Sequence, residues 1–263
     1  MNIKNQLLAI FFIAFIFSCS KVPISNRKQM HLLNEQDLIQ MAELQYNDFM
    51  KSAEVLPANN AQAIKIKKIG KKIQNAAESF LEKNGHSHRI EGFTWEYNTV
   101  ESEVLNAWCM PGGKVCFYTG LIDLADNDDQ IAAVMGHEVA HAIAKHGNER
   151  MSQQMALNGI MKLSGVGQQD STQTKTVFDY VFSGSATLGM LKFSRVHETE
   201  SDKLGLVFMK LAGYDANESI AFWKKMSEQG GFVPQILSTH PSDQTRVNDL
   251  QEFIDTELDN YVD

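Results

Sequence analysis

The apolar and polar positions change rhythm several times along the chain. An unbroken apolar run covers Leu7 to Phe17, and a polar, irregular stretch follows over residues 20–33, interrupted by Pro23. Asn34 is an N-cap residue with Asp37 three positions on, which predicts a helix running to about Val55, before Pro57 and Asn59-Asn60 break it. Ile66, Ile69, Ile73, Ala77 and Phe80 then recur at helical spacing and predict a second amphipathic helix, stopping near Gly85. Its Lys65, Lys67, Lys68, Lys71 and Lys72 form a solvated face, with anionic lipid headgroups as a second use.

From Phe93 the period shortens to two. Phe93 to Tyr97 alternates like a half-buried strand, and Glu103–Cys109 and Val115–Tyr118 read as two more strands around Pro111-Gly112-Gly113. If Gly112-Gly113 forms a two-residue turn, Cys109 faces Cys116 and a cross-strand disulfide is permitted. Two packed free thiols are the other reading. Asp126 to Asp129 then place caps and negative charge at a helix start. Ile131, Val134, Met135, Val139 and Ile143 supply the buried stripe of that helix, and Gly147 is its expected end. Residues 164–176 have no apolar periodicity and read as a loop. Further helices are expected over 177–190, 195–212, 216–229 and 242–258. The fold class is therefore α+β, mainly α, with a small β-sheet or hairpin.

Length and charge narrow the function classes. The chain has 263 residues, enough for one sizeable core, and a formal net charge of -8, which disfavours a nucleic-acid partner. The Leu7–Phe17 run is too short for a bilayer span of about 20 residues and has the length of a signal-peptide core. It ends Ile16-Phe17-Ser18-Cys19, similar to a bacterial lipobox with Cys19 as the lipidated residue. The expected division is a signal peptide and lipobox over 1–19, a tether over 20–33, and one folded domain over 34–260. The membrane is then a partner through the N-terminal lipid.

The chemistry concentrates in His137-Glu138-Val139-Ala140-His141. Histidines four apart on a helix share a face and can grip one metal ion, while the intervening glutamate is placed to act on a water. This is the H-E-x-x-H arrangement of zinc peptidases. Val139, Ala140, Ala142, Ile143 and Ala144 surround these polar residues, and buried polar groups need a partner, which a metal supplies. His137 and His141 are the candidate ligands and Glu138 the candidate base. Two surface histidines on a charged helix are the plain alternative. A third protein ligand is required for a catalytic zinc, and the segment from Ser194 to Asp202 offers His197, Glu198, Glu200 and Asp202.

These motifs together resemble the HtpX/Oma1/CAAX-prenyl-endopeptidase family of zinc metallopeptidases, and within it the soluble periplasmic BepA- and LoiP-like lipoproteins. The family places a ligand glutamate four residues before an aspartate, and Glu198 and Asp202 match that pattern. The resemblance implies a zincin-like metallopeptidase domain with one Zn2+ per chain, held by His137, His141 and Glu198. Asp202 would accept a hydrogen bond from a ligand histidine. His197 and Glu200 lie off that face and are expected to be solvated or to contact a loop. Asn106 to Gly113 is similar to the family's N-A-x-x-x-P-G-G segment, where an exposed strand would pair with an extended substrate. Thr239-His240-Pro241-Ser242, followed by Arg246, is similar to a histidine segment that approaches the zinc. His240 would either support the oxyanion or occupy zinc's open position and restrain activity.

The resemblance covers roughly residues 30–258. It departs from the membrane-spanning members, because no stretch after the N-terminal segment is long and apolar enough to span. The implied function is hydrolysis of internal peptide bonds in misfolded or unassembled envelope proteins. The implied place is the periplasmic side of a membrane, the outer one by preference. Residues 164–176 would form a lid. The rival from another class is a zinc-binding periplasmic chaperone or assembly factor with little hydrolysis, against which an intact Glu138 argues.

Overall fold

In the computed structural model, which describes residues 19–163, 194–228, 236, 240 and 244–262, the stretch expected to be a loose tether is folded onto the domain. Strands β1 (Cys19–Lys21) and β2 (Lys28–Met30) pair antiparallel. Ile24 and Asn26 take left-handed backbone angles in the connecting turn. Val22 is fully buried and Gln29 nearly so. A polar sequence hid this docking because its anchors are hydrogen bonds and ion pairs rather than an apolar stripe.

Helix α1 (Glu35–Ser52) starts where Asn34 accepts from the backbone N–H groups of Gln36 and Asp37. Asn60 caps α2 (Ala61–Lys83) in the same way, and Ile66, Ile69, Ile73, Ala77 and Phe80 form its buried face. Both helices match the sequence reading. The sheet matches it in content but not in position. Strands β3 (Glu96–Val100), β4 (Ala107–Met110) and β5 (Lys114–Tyr118) lie in the order β3-β5-β4, with β3 parallel and β4 antiparallel to β5. The first strand thus starts three residues later than the Phe93–Tyr97 alternation suggested.

The β4–β5 turn is one residue longer than the two-residue turn considered above. Met110 pairs with Lys114, leaving Pro111, Gly112 and Gly113 in the loop, and Gly112 and Gly113 have φ of 88° and 82°. The register moves by one, so Cys109 faces Val115 and Trp108 faces Cys116. Side chains alternate across a sheet, so a one-residue shift places the two thiols on opposite faces. Cys116 packs with Val100 and Tyr118, both cysteines are free, and no disulfide joins them.

Helix α3 (Thr119–Leu124) leads to α4 (Asp128–Ile143), capped by Asn127 through Gln130 N. Gly147 does not end α4. The helix stops at Ile143, Lys145 takes a left-handed turn (φ 58°), and α5 (His146–Leu163) begins at once. Helices α6 (Arg195–Leu211), α7 (Asn217–Ser227) and α8 (Gln244–Thr256) follow close to the expected ranges. The architecture is α+β and mainly helical. Helix α4 is the central element, packed on α2, α6, α7 and β4. Among the described residues no helix is long and apolar enough to cross a membrane. The signal segment, the expected loop and lid over 164–176 and the helix over 177–190 lie outside the described residues.

Candidate metal centre

Helix α4 is buried from Gln130 to Ile143 without a break. A helix enclosed on all sides has no solvent for its polar side chains, so His137, Glu138 and His141 must find partners inside the protein. Helix α6 supplies them. Ser194 accepts from His197 N and sets the start of α6. That start places Glu198 opposite the two histidines and Asp202 one turn further on.

Four side chains converge. His137 Nε2 lies 3.1 Å from His141 Nε2 and 3.2 Å from His240 Nδ1. Glu198 Oε1 lies 3.0 Å from His240 Nδ1 and 3.4 Å from His141 Nε2, while Glu198 Oε2 is 3.5 Å from His137 Nε2. All four residues are buried, and their ligand atoms lie within 4.8 Å of one another. Zinc bonds of 2.0–2.1 Å in a tetrahedron imply ligand separations of about 3.3–3.4 Å. The donor set therefore fits one zinc ion in size and chemistry. Glu198 Oε2 and Glu138 Oε1 are buried and accept no hydrogen bond from a described residue. Glu198 Oε2 meets Arg246 Nη1 and His137 Nε2 only at 3.4 and 3.5 Å, so a cation between the donors would satisfy it more fully.

The anionic Glu198 suits a cation, while His137 must give up its proton to bind one. Burial would raise the Glu198 pKa, but His240, His137 and His141 hold it well below the usual carboxylate range. Burial and Arg246 press on His137, yet Asp202 and Glu198 outweigh them and lift it to about 9. Burial holds His141 well below the usual imidazole value despite Glu198. Burial raises the Glu138 pKa.

Behind His137 stands Asp202, whose Oδ1 is 2.9 Å from His137 Nδ1. Arg246 grips Asp202 through Nε at 2.8 Å and Nη2 at 2.7 Å, and its guanidinium stacks 3.7 Å over the Trp223 ring. The bidentate grip fixes the carboxylate and, through it, the imidazole ring. In the sequence, Arg246 was no more than a residue following His240.

A second polar group backs His141, and it includes His197 and Glu200, the latter in contact with the β1–β2 turn through Ser25 and Arg27. Neither His197 nor Glu200 is solvated: they are 2% and 5% exposed. His146 Nδ1 lies 3.0 Å from His141 Nδ1, and His146 Nε2 lies 3.0 Å from Glu200 Oε2. His197 Nε2 lies 3.1 Å from Glu149 Oε2, and the His146 and His197 rings stack at 4.4 Å. The sequence carries the signal twice. His146-x-x-Glu149 and His197-x-x-Glu200 each place a histidine and a glutamate on one helix face. The two helices exchange partners, so His146 pairs with Glu200 and His197 with Glu149.

Comparison with known proteins agrees with this chemistry. The model of peptidase family M48 matches residues 67–254. The mitochondrial metalloendopeptidase OMA1 of Saccharomyces cerevisiae is 29% identical over 245 residues, covering 89% of this chain and 68% of that protein. Its Arabidopsis thaliana counterpart is 33% identical over 175 residues, covering 66% of this chain and 34% of that protein. The beta-barrel assembly-enhancing protease of Escherichia coli is 26% identical over 159 residues, covering 58% of this chain and 33% of that protein. The chain thus spans about two thirds of the yeast relative and about one third of the plant and bacterial ones.

Proposed function

The chain belongs to peptidase family M48 and is a metallopeptidase with a zinc cofactor; we propose that it hydrolyses internal peptide bonds in misfolded or unassembled proteins of the cell envelope. The observation that carries the reading is the convergence of His137, His141, Glu198 and His240 beside the buried Glu138.

His137, His141 and Glu198 hold the metal under this reading, and Asp202 orients His137. When bound, zinc supplies a Lewis acid for the scissile carbonyl and lowers the pKa of the attacking water. Glu138 takes the water proton and delivers it to the leaving amine, and the raised pKa of its buried carboxyl suits both halves of that exchange. His240, whose Nδ1 lies 3.0 Å from Glu198 Oε1 and 3.2 Å from His137 Nε2, would be a further donor to the metal and would restrain activity there.

Strand β4 is the substrate platform. Among the described residues it is an edge of the three-stranded sheet, and it packs against α4. Tyr118 N donates to Asn106 O, which fixes the hydrogen-bond phase. The backbone groups of Ala107 and Cys109 therefore point away from β5 and toward an incoming strand. A substrate paired there is read as extended backbone, which suits unfolded segments of many sequences. The name of the Escherichia coli relative, a beta-barrel assembly-enhancing protease, and the signal-like apolar run Leu7–Phe17 support envelope proteins as substrates. The same N-terminus supports lipidation at Cys19, a signal segment over 1–19 and attachment to the periplasmic side of a membrane, the outer one by preference.

The test is cleavage of an unfolded polypeptide by the full chain. Chelation should abolish cleavage and added zinc restore it. Glu138→Gln should keep its zinc and lose about 10²–10⁴-fold in kcat. A wild type that is inactive in every metal condition, yet suppresses aggregation, would replace the enzyme with a chaperone.

A further inference from the structure

We propose that Arg27, in the N-terminal hairpin, is a positioning residue for the metal centre, acting on His141 through Glu200 and His146. The inference rests on His137, His141 and Glu198 holding the metal.

A metal-ligating imidazole needs its second nitrogen held, or the ring turns and the affinity falls. His137 is held directly, by Asp202 and behind it Arg246. The Nδ1 of His141 meets an imidazole, that of His146. The Nε2 of His141 faces His137 and Glu198, so its Nδ1 carries the proton and donates to His146 Nδ1 at 3.0 Å. His146 Nε2–H is then left to donate to Glu200 Oε2 at 3.0 Å. Arg27 closes the chain on Glu200, with Nε 2.8 Å from Oε1 and Nη2 2.8 Å from Oε2. Both ligand histidines thus end on a carboxylate gripped by a guanidinium fork. The second route is longer by one imidazole.

Arg27 also bridges the two glutamates. Its Nη1 and Nη2 donate to Glu149 Oε1 and Oε2 at 2.6 and 2.8 Å. Glu149 and Glu200 are 3% and 5% exposed. Without the guanidinium, two like charges would share a dry pocket. The carboxylates would turn apart, and His146 would lose a fixed acceptor.

The hairpin is built to deliver this residue. Val22 N donates to Arg27 O at 2.9 Å, and Asn26 N donates to Val22 O at 3.0 Å. Ser25 Oγ donates to Glu200 Oε1. Gln29 Nε2 donates to Ala144 O at 2.7 Å and Glu149 Oε2 at 2.8 Å. Arg89 ties Lys21 O and Gln29 to Ile143 O at the end of α4. The segment just before the first long helix is therefore a working part of the metal centre.

The experiment compares the full chain with Arg27→Met, Arg27→Lys and Glu200→Gln. A buried Ile73→Val variant, on α2, controls for a general loss of stability. The readouts are zinc affinity by chelator competition and the visible absorption spectrum of the cobalt-substituted protein. Arg27→Met is expected to weaken zinc by about 10- to 100-fold, the range for lost outer partners of a metal ligand, and to change the cobalt spectrum. Arg27→Lys should fall between, because an ammonium keeps the charge but not the fork. Ile73→Val should leave both readouts unchanged. Unchanged zinc affinity and spectrum in Arg27→Met overturn the proposal, as does an equal loss in Ile73→Val. If Arg27→Met does not fold, Glu200→Gln decides by the same two readouts. A wild type that binds no zinc overturns instead the metal reading on which the inference rests.

Discussion

Gly136 and Gly205 meet backbone to backbone where α4 crosses α6. A Cβ on Gly136 would stand 2.8 Å from the Gly205 carbonyl oxygen, and one on Gly205 would stand 2.9 Å from Gly136 C and His137 N. The contact adjoins His137 directly and lies one turn from Asp202. It sets the spacing at which Glu198 reaches both histidines.

Gly205→Ala should therefore separate the helices. The obstructing atoms are backbone, which has no side-chain rotamer to escape into. The expected cost is about 1–3 kcal/mol, read as a lower melting temperature. Zinc affinity should fall in the same variant, because the ligand set is split across the crossing. An alanine that leaves both quantities at wild-type values would show that the crossing has slack. Gly136→Ala should behave in the same way.

This crossing also marks the limit of what the sequence makes legible. H-E-x-x-H is a local pattern with a metal's chemistry in it and announces the centre from spacing, whereas Glu198 and Asp202 stood out from their segment only through the family resemblance. Caps at Asn34 and Asn127 are equally local. The partners of His146, Glu149, His197 and Glu200 are not, because each pairs across two helices. Arg27 is hidden for another reason. Its neighbours Lys21, Ser25, Asn26 and Lys28 look like solvent-facing residues until the acceptors that anchor the hairpin are known. The β4–β5 register turned on whether Pro111 belongs to the strand or to the turn.

That register makes a chemical prediction. Cys109 and Cys116 point to opposite faces, so oxidising conditions should not join them within the native chain. Alkylation after denaturation without reductant should modify both. A wild-type mass two hydrogens lower, with neither residue alkylated, would mean that the two-residue turn exists in solution.

The pH dependence of stability should carry a signature of Glu149. Burial would raise its pKa, but hydrogen bonds from Arg27, His197 and Gln29 outweigh this and hold it well below the ordinary carboxylate range. A group whose pKa is depressed by folding stabilises the native state fully above its unfolded value, about 4.3 for glutamate. The contribution is lost as pH falls through that value toward the lower folded one. Melting temperatures measured downward from pH 6 should therefore drop less steeply in Glu149→Gln than in wild type. Parallel curves would mean that the ion pair with Arg27 contributes nothing to folding.

Under the proposed reading, His240 restrains the enzyme as a further donor to the metal. His240 Nδ1 is 3.0–3.2 Å from Glu198 and His137, the separation of co-ligands rather than of a group reserved for substrate. A catalytic zinc keeps a position open, whereas a fourth protein ligand closes it. His240→Ala should then raise kcat/KM for an unfolded substrate by the reciprocal of the resting open fraction. An open fraction of about one in ten gives a rise of about tenfold. Zinc should bind more weakly in the variant, because one donor is gone. The opposite result, lost activity with zinc retained, would make His240 a partner of the developing oxyanion. The two roles also separate by substrate concentration. A ligand that must leave should give a wild-type chain that substrate helps to open. An oxyanion partner should lower kcat on removal at every substrate concentration. Paired kcat and KM measurements on wild type and His240→Ala therefore discriminate between restraint and catalysis in one series.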